Sequence, residues 1–382
     1  MAIAPNGQYG YYLYCYSDLT DPSAAKSGVD KKIIAQIKAL NKWGLGCRFK
    51  FCPAPISFIS KALSCLPLFP DGIHWPIEDE LGSPSYLYIR RPALVSRELI
   101  KFLRFFKMNH PNSQVLYEIP SYPYDGEMRG FLSFALLKDK KYRKQLSSYV
   151  DYIVDLSGAQ EIFSIPTIPI INGIDLDSCK VKAPVKNLEK INIISVAFFE
   201  PWHGMDRFMI GMKRYFSAGG TRDIHLHLVG EGSELPKLKS LCNELNLNDN
   251  ITFYGFMEST EIDSIYNTCS LAIECLGIHR KGLGQISSSL KSREYLAKGI
   301  PFIGSTNVDV FIKEPVDFFW QAPEDDSPLD MKDIVQFHDS LYSNYSQHQI
   351  INEIRKYAQR HISMESAIRN VIQVLKSPNI TK

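Results

Sequence analysis

The stretch 287–305, SSSLKSREYLAKGIPFIGS, holds the residue types best suited to binding an anion. Its serines stand ahead of a short helical pattern, where a hydroxyl accepts from the orphan N–H groups of a first turn. Ser288, Ser289 and Leu290 therefore mark a helix N-terminus with free donors and a partial positive charge. Lys291 and Glu294 are three apart and share a face near that terminus. An ammonium beside helix N–H groups suits a diphosphate, and a carboxylate suits the paired hydroxyls of a ribose. A surface helix with a solvated Lys and Glu is the plainer reading. Gly299 is placed to cap the helix, and Pro301 to stop it before the next strand.

Other candidates lie at the ends of strand-like runs. In AFFEPWHGMDRF, His203 and Arg207 are four apart on one face of a starting helix, where a guanidinium fork suits phosphate oxygens. A capping His and a solvated Arg is the bland alternative. Gly230-Glu231-Gly232 lacks the third glycine of a dinucleotide fingerprint. Gly255 and Phe256 follow another strand and offer a flat surface for a base, or form an ordinary turn. Asp175 and Asp177 lie together without a third ligand, so no metal site is read there. Glu118 ends a strand and leads into Tyr122, Tyr124 and Asp125, rings and a carboxylate that suit a sugar or simply build a proline-stiffened corner. The segment 96–108 pairs a Leu/Phe stripe with a basic face, which reads as core with a solvated edge or as contact with an anionic membrane.

These residues need a scaffold, and the chain is long enough for two or three domains. It has 382 residues, 45% hydrophobic and 22% charged, with net charge +2, so no global field argues for nucleic acid. Eight cysteines without a C-x-x-C pair, several in apolar runs, read as reduced thiols. No basic-then-apolar leader and no bilayer-length apolar run is present, which predicts a cytoplasmic protein. Strand-like runs at 11–16, 47–52, 86–89, 114–118, 152–155 and 167–171 alternate with helical patterns, including one at 138–149. A polar segment at 172–190 reads as a linker. The alternation then resumes through 192–196, 224–229, 251–254 and 271–275. The pattern predicts an α/β protein of two doubly wound parallel-sheet domains facing across a cleft, spanning 1–185 and 186–361. A last helix, 362–382, is expected to pack back on the first.

HLVGEGSELPKLKSLCNELNLNDNITFYGFM followed by SLKSREYLAKGIPFIGS resembles the nucleotide-binding half of the family 4 retaining glycosyltransferases, which have the GT-B fold. NGIDLD is similar to the family's entry into its second domain, and Ser27-Gly28-Val29 to its N-terminal glycine loop. WHGMDR and EIPSYPYDGE resemble a bacterial surface-polysaccharide branch. The resemblance implies that Glu294 bonds the ribose and that Lys291 and the N–H groups at 288–290 meet the diphosphate. His203 would stand for the family's phosphate-binding lysine, supported by Arg207. Gly28 would face the donor phosphates, and Gly255 and Phe256 would border the base. Three family residues are replaced: the first glutamate by Ile286, an arginine by Phe198, and the first-domain histidine, for which Glu118 or a neighbour in its loop would stand in.

The implied activity is retaining transfer of a hexose from a UDP- or GDP-linked sugar to a glycan or lipid-linked hydroxyl, without metal. His203, Lys291 and Glu118 would be catalytic, and Tyr122, Tyr124 and Asp125 would line the acceptor side. Peripheral membrane contact is a further partner reading. The replaced glutamate and arginine keep open a catalytically silent GT-B partner subunit, and the shared architecture keeps open a sugar-nucleotide epimerase.

Overall fold

The computed structural model describes residues 9–24, 27–55, 57–66, 68–125, 133–281, 286–312 and 314–377. The chain divides into two compact units, 1–173 with 364–382 and 174–363. Residues 174–185, assigned by composition to the first domain, group with the second unit.

In unit 1 the strands β1 (Gly10–Tyr14), β2 (Cys47–Phe51), β3 (Tyr86–Arg90), β4 (Gln114–Ile119), β5 (Tyr152–Asp155), β6 (Glu161–Ile162) and β7 (Ile165–Pro169) lie in the order β2-β1-β3-β4-β5-β7-β6. The pairings are parallel except for β6 with β7. Every residue of β3 is buried, as a sheet covered on both faces requires. The covering helices are α1 (Gly28–Lys42), α2 (Phe58–Cys65), α3 (Glu78–Leu81), α4 (Arg97–Asn109) and α5 (Ser133–Arg143). A reciprocal capping box between Ser27 and Asp30 starts α1. The helix expected at 138–149 is α5, which begins earlier and gives way to the 3-10 turn Leu146–Ser148. α2 was not legible in the sequence, and none of its residues is buried.

Unit 2 has β8 (Lys190–Val196), β9 (Asp223–Val229), β10 (Ile251–Gly255), β11 (Leu271–Ile273), β12 (Ile286–Ser287), β13 (Phe302–Gly304), β14 (Asn307–Val308) and β15 (Phe319–Gln321). Six form a parallel sheet in the order β10-β9-β8-β11-β13-β15, and β12 pairs separately with β14. Its helices are α6 (Met205–Ser217), α7 (Leu235–Glu244), α8 (Ser259–Tyr266), α9 (Leu290–Lys298), α10 (Met331–Asn344) and α11 (Gln347–His361). The strand order reverses between β8 and β11, and ligands of such sheets collect beyond the carboxyl ends at that reversal. In unit 1 the equivalent reversal lies between β1 and β3.

The chain then supplies unit 1 with α12 (Met364–Ala367) and α13 (Arg369–Lys376). Met364, Ala367, Ile368, Val371, Ile372 and Leu375 are buried in one cluster with Tyr12, Ile33 and Leu40. Asn370 Nδ2 donates to the Pro169 carbonyl at 2.9 Å.

Candidate functional site

At the reversal in unit 2, the loop after β8 enters a 3-10 turn, Pro201–His203. Gly204 ends this turn at φ 65°, and a Cβ there would sit 2.7 Å from the Leu276 carbonyl carbon. Glycine therefore lets the turn meet the loop after β11. Two backbone bonds fasten it, from Leu276 N–H to the His203 carbonyl (3.0 Å) and from Gly277 N–H to the Trp202 carbonyl (3.1 Å). His203 Nδ1 accepts from the Glu200 N–H at 2.9 Å, so the neutral ring carries its proton on Nε2. Burial first, and then the charge of Lys291, lowers the His203 pKa to about 3. The imidazole is therefore a neutral donor at ordinary pH. This corrects the expectation that His203 supplies a cation, because a second charge beside Lys291 in a buried place is too costly.

Helix α9 approaches the same loop. Ser289 is its N-cap and accepts from the Ser292 N–H at 3.0 Å; Gly299 closes it at φ 76°. Lys291 Nζ donates to the Glu274 carbonyl and lies 3.2 Å from Cys275 Sγ. Its ammonium thus stands one to two residues from the backbone that holds His203. Burial pushes the Cys275 thiol up to about 11, against the lowering effect of Lys291, so it stays protonated. Ser288 Oγ accepts from Arg293 Nη2 at 2.9 Å, and the same guanidinium is paired with Asp309 at 2.6 Å. Leu290 opens the helix with an exposed side chain. The charge of Glu294 acts on the hydroxyl of Tyr266 and the thiol of Cys179, raising both after burial has done so. Lys291 and Glu294 share the helix face but serve different neighbours.

Two residues here escaped the sequence reading. Arg293 locks the loop ahead of α9. Glu274 is buried just after β11; its Oε1 accepts from Ser287 at 3.0 Å, and its Oε2 meets no partner among the described residues. The available signal was a carboxylate inside the apolar run LAIECLG, a place where charges are rarely buried without purpose.

Arg207 is a correction. It is fully buried, and its guanidinium donates to the carbonyls of Leu276, Ser327 (2.7 Å) and Pro323 (3.0 Å), with Asp325 at 3.4 Å. Its fork is spent on the protein, so it braces the loop after β11 and is not offered to a phosphate. Gly230 and Gly232 are likewise packing devices: a Cβ at either would lie within 2.2 Å of the Ala197 or Phe199 carbonyl oxygen. Gly255 ends the edge strand β10 at φ 71°, and Phe256 beyond it is exposed.

In unit 1, Glu118 is a third correction. The carboxylate is 0% exposed and accepts from Arg90 (2.5 Å), Tyr88 (2.6 Å), Gln36 (3.1 Å), Tyr12 (3.3 Å) and Lys32 (3.4 Å). Burial alone would raise its pKa, but Lys32 and Arg90, helped by Tyr88 and Gln36, bring it down to about 2. A carboxylate so enclosed ties β1, α1, β3 and β4 together and reaches no acceptor. Tyr124 is also buried, donating to Asp139 at 2.9 Å beneath the Arg91 guanidinium. Asp125 is held by Arg143 at 2.6 Å and Lys140 at 3.3 Å. Tyr122 packs edge-on against Tyr124 and Phe163. The loop is the structural corner, and the expected acceptor surface of Tyr124 and Asp125 is already engaged. Gly28 is exposed as the first residue of α1, on the loop after β1. Among the described residues, no group of three His, Cys, Asp or Glu side chains could hold a metal ion.

Two Rossmann-like units in this order make the GT-B fold of glycosyltransferases. Residues 180–306, within unit 2, match the family model described as Glycosyl transferases group 1. A glycosyltransferase from Rickettsia africae has a similar structure, with TM-score 0.60 at 13% identity over 98% of this chain and 99% of that one. Sucrose-phosphate synthase from Thermosynechococcus elongatus gives 0.56 at 15%, over 96% and 98%. The Anabaena protein HepE in complex with UDP gives 0.55 at 10%, over 96% and 99%. At such identities the likeness is one of fold. No curated protein matches the chain.

Proposed function

We propose that the protein transfers a sugar, with retention, from a nucleotide diphospho-sugar to a hydroxyl of a glycan or lipid-linked acceptor in surface-polysaccharide synthesis. One observation carries the reading. Lys291, in the first turn of α9, and the backbone of neutral His203 both bond the loop after β11, at the strand-order reversal of unit 2. In the reaction, the bond from sugar C1 to the β-phosphate oxygen breaks and the diphosphate keeps the electron pair. The acceptor hydroxyl then bonds C1 from the same side and gives its proton to the departing diphosphate oxygen. The residues supply donors and charge where negative charge grows on the leaving diphosphate. His203 does so as a hydrogen-bond donor and Lys291 as a charge. Glu294 is the carboxylate for the ribose hydroxyls, and Gly255 and Phe256 border the base. HepE is described with UDP and with UDP-glucose, which favours uridine among the bases.

A thermal-shift panel with UDP, GDP, ADP and their sugars tests the site. A raised melting temperature with one diphosphate, lost in Lys291→Ala, is the expected result. No shift with any of them would remove the reading.

A second reading, a silent partner subunit, is favoured by Phe198 and Ile286, which are 65% and 60% exposed where the resembled family has charged residues. Nucleotide binding without transfer to any matched acceptor would favour it.

A further inference from the structure

We propose that Lys281 is a second diphosphate-binding cation of the donor site, seated beside His203 by the Trp202 ring. The inference rests on the donor reading and supplies a charge that the site otherwise lacks.

Charge accounting leads to it. A diphosphate esterified at both ends is a dianion, and more charge gathers on its leaving oxygen as the bond to C1 breaks. The groups assigned to it so far include one formal cation, the Lys291 ammonium, because His203 is held neutral. Phe198, exposed on the loop after β8, adds no charge. An anion that leaves water for a pocket needs its charge met there.

The other cations around the loop after β11 are already engaged. Arg207 is buried against carbonyls. Arg293 is paired with Asp309 at 2.6 Å. Arg280 holds Asp206 at 2.8 Å and Asp326 at 2.6 Å, and His279 meets the same Asp326 at 3.0 Å. Lys281 differs. It ends the 3-10 turn Ile278–Lys281, is exposed, and forms no ion pair with a carboxylate among the described residues.

Its partner is an aromatic ring. Lys281 Nζ stands over the Trp202 indole, 4.5 Å from the centroid, and the Trp202 and His203 rings are 6.0 Å apart. The bond from Gly277 N–H to the Trp202 carbonyl fastens this turn to the one that carries His203. The electrostatics agree with the geometry. Burial first and Lys291 next depress the His203 pKa, and Lys281 adds to the lowering. At Cys275, where burial raises the thiol, Lys281 again adds to the opposing effect of Lys291. Two ammoniums from different elements therefore bear on one imidazole and one thiol. A cation–π contact at an exposed site is weaker than a charge-assisted hydrogen bond to phosphate. An arriving diphosphate therefore draws the ammonium off the indole.

The test is calorimetric titration of the full chain with UDP, GDP and ADP, repeated on Lys281→Met and Lys281→Arg. For the diphosphate that binds the parent, Lys281→Met should weaken affinity by about tenfold or more. It should also flatten the fall of affinity with rising salt. Lys281→Arg keeps the charge and should stay within about threefold of the parent. The side chain is exposed, so both variants should melt with the parent. If the parent binds none of the three, the donor reading and this inference fall together. If Lys291→Ala weakens binding and Lys281→Met does not, this inference alone is overturned, and Lys281 is a surface partner of the indole. Equal weakening in Lys281→Met and Lys281→Arg also overturns it, since the lost quantity would then not be charge.

Discussion

In the proposed site Lys291 would act through an ammonium and His203 through a neutral ring. Burial, and after it the charge of Lys291, is why His203 gives its own charge up. Lys291→Ala should lower kcat/KM for transfer by about 10²–10³, the usual cost of one donor to developing charge. Its melting temperature should stay near the parent's, since among the described residues the ammonium holds one carbonyl and one thiol. A variant with full turnover would end the phosphate role. The pH dependence has a definite sign. Folded His203 titrates near 3 against an ordinary 6.5, so the unfolded chain takes up this proton first. Stability therefore falls as pH drops from about 6.5 towards 3. Glu118 adds to the loss lower down, between 4.5 and about 2. Urea unfolding at neutral pH and at about pH 5 should show a smaller difference in His203→Asn than in the parent. An unchanged difference would mean that the ring is not held neutral.

At the scale of elements, polar groups placed as reactive turn out to be braces. Glu118 joins two strands and a helix to a third strand, with Lys32 and Arg90 on either side. Glu118→Gln leaves two cations without their buried partner and should cost about 3–5 kcal/mol. The check is chemical denaturation, and a loss under about 1 kcal/mol would contradict the network. Arg207 does the same for the loop after β11. Helix α9 shows the reverse case, in which local signals told the truth. Ser289 and Gly299 are the caps that their positions in the sequence announced. A Cβ at Gly299 would approach the Ile351 carbonyl oxygen to 2.8 Å at φ 76°. Gly299→Ala should therefore destabilise by more than about 1 kcal/mol, measured as a fall in melting temperature.

For the molecule as a whole, unit 1 is assembled from both ends of the chain. α12 and α13 bury six apolar residues against β1 and α1, at roughly 1.5–3 kcal/mol for each large side chain. That sum rivals the whole stability of an ordinary domain. Ending the chain after Ser363 should leave unit 1 open to protease, with its melting transition lost. A truncated chain that melts like the parent would show the tail to be dispensable.

The sequence by itself determined the alternation of strand and helix, the parallel sheets and the ends of α9. Those depend on hydrophobic period and on capping residues, which act within a few positions of one another. It also singled out Lys291 and His203, because each follows a recognisable strand or cap. What it could not decide was which charges were already spent. Glu118 meets Arg90 and Lys32 across 28 and 86 positions, and Arg207 meets Ser327 across 120. No local pattern records such pairings. Glu274 and the uncovered face of α2 were hidden for the same reason. Whether a carboxylate lacks a partner, or a phenylalanine lacks a neighbour, depends on what the rest of the chain brings to it, and only the tertiary structure decides that.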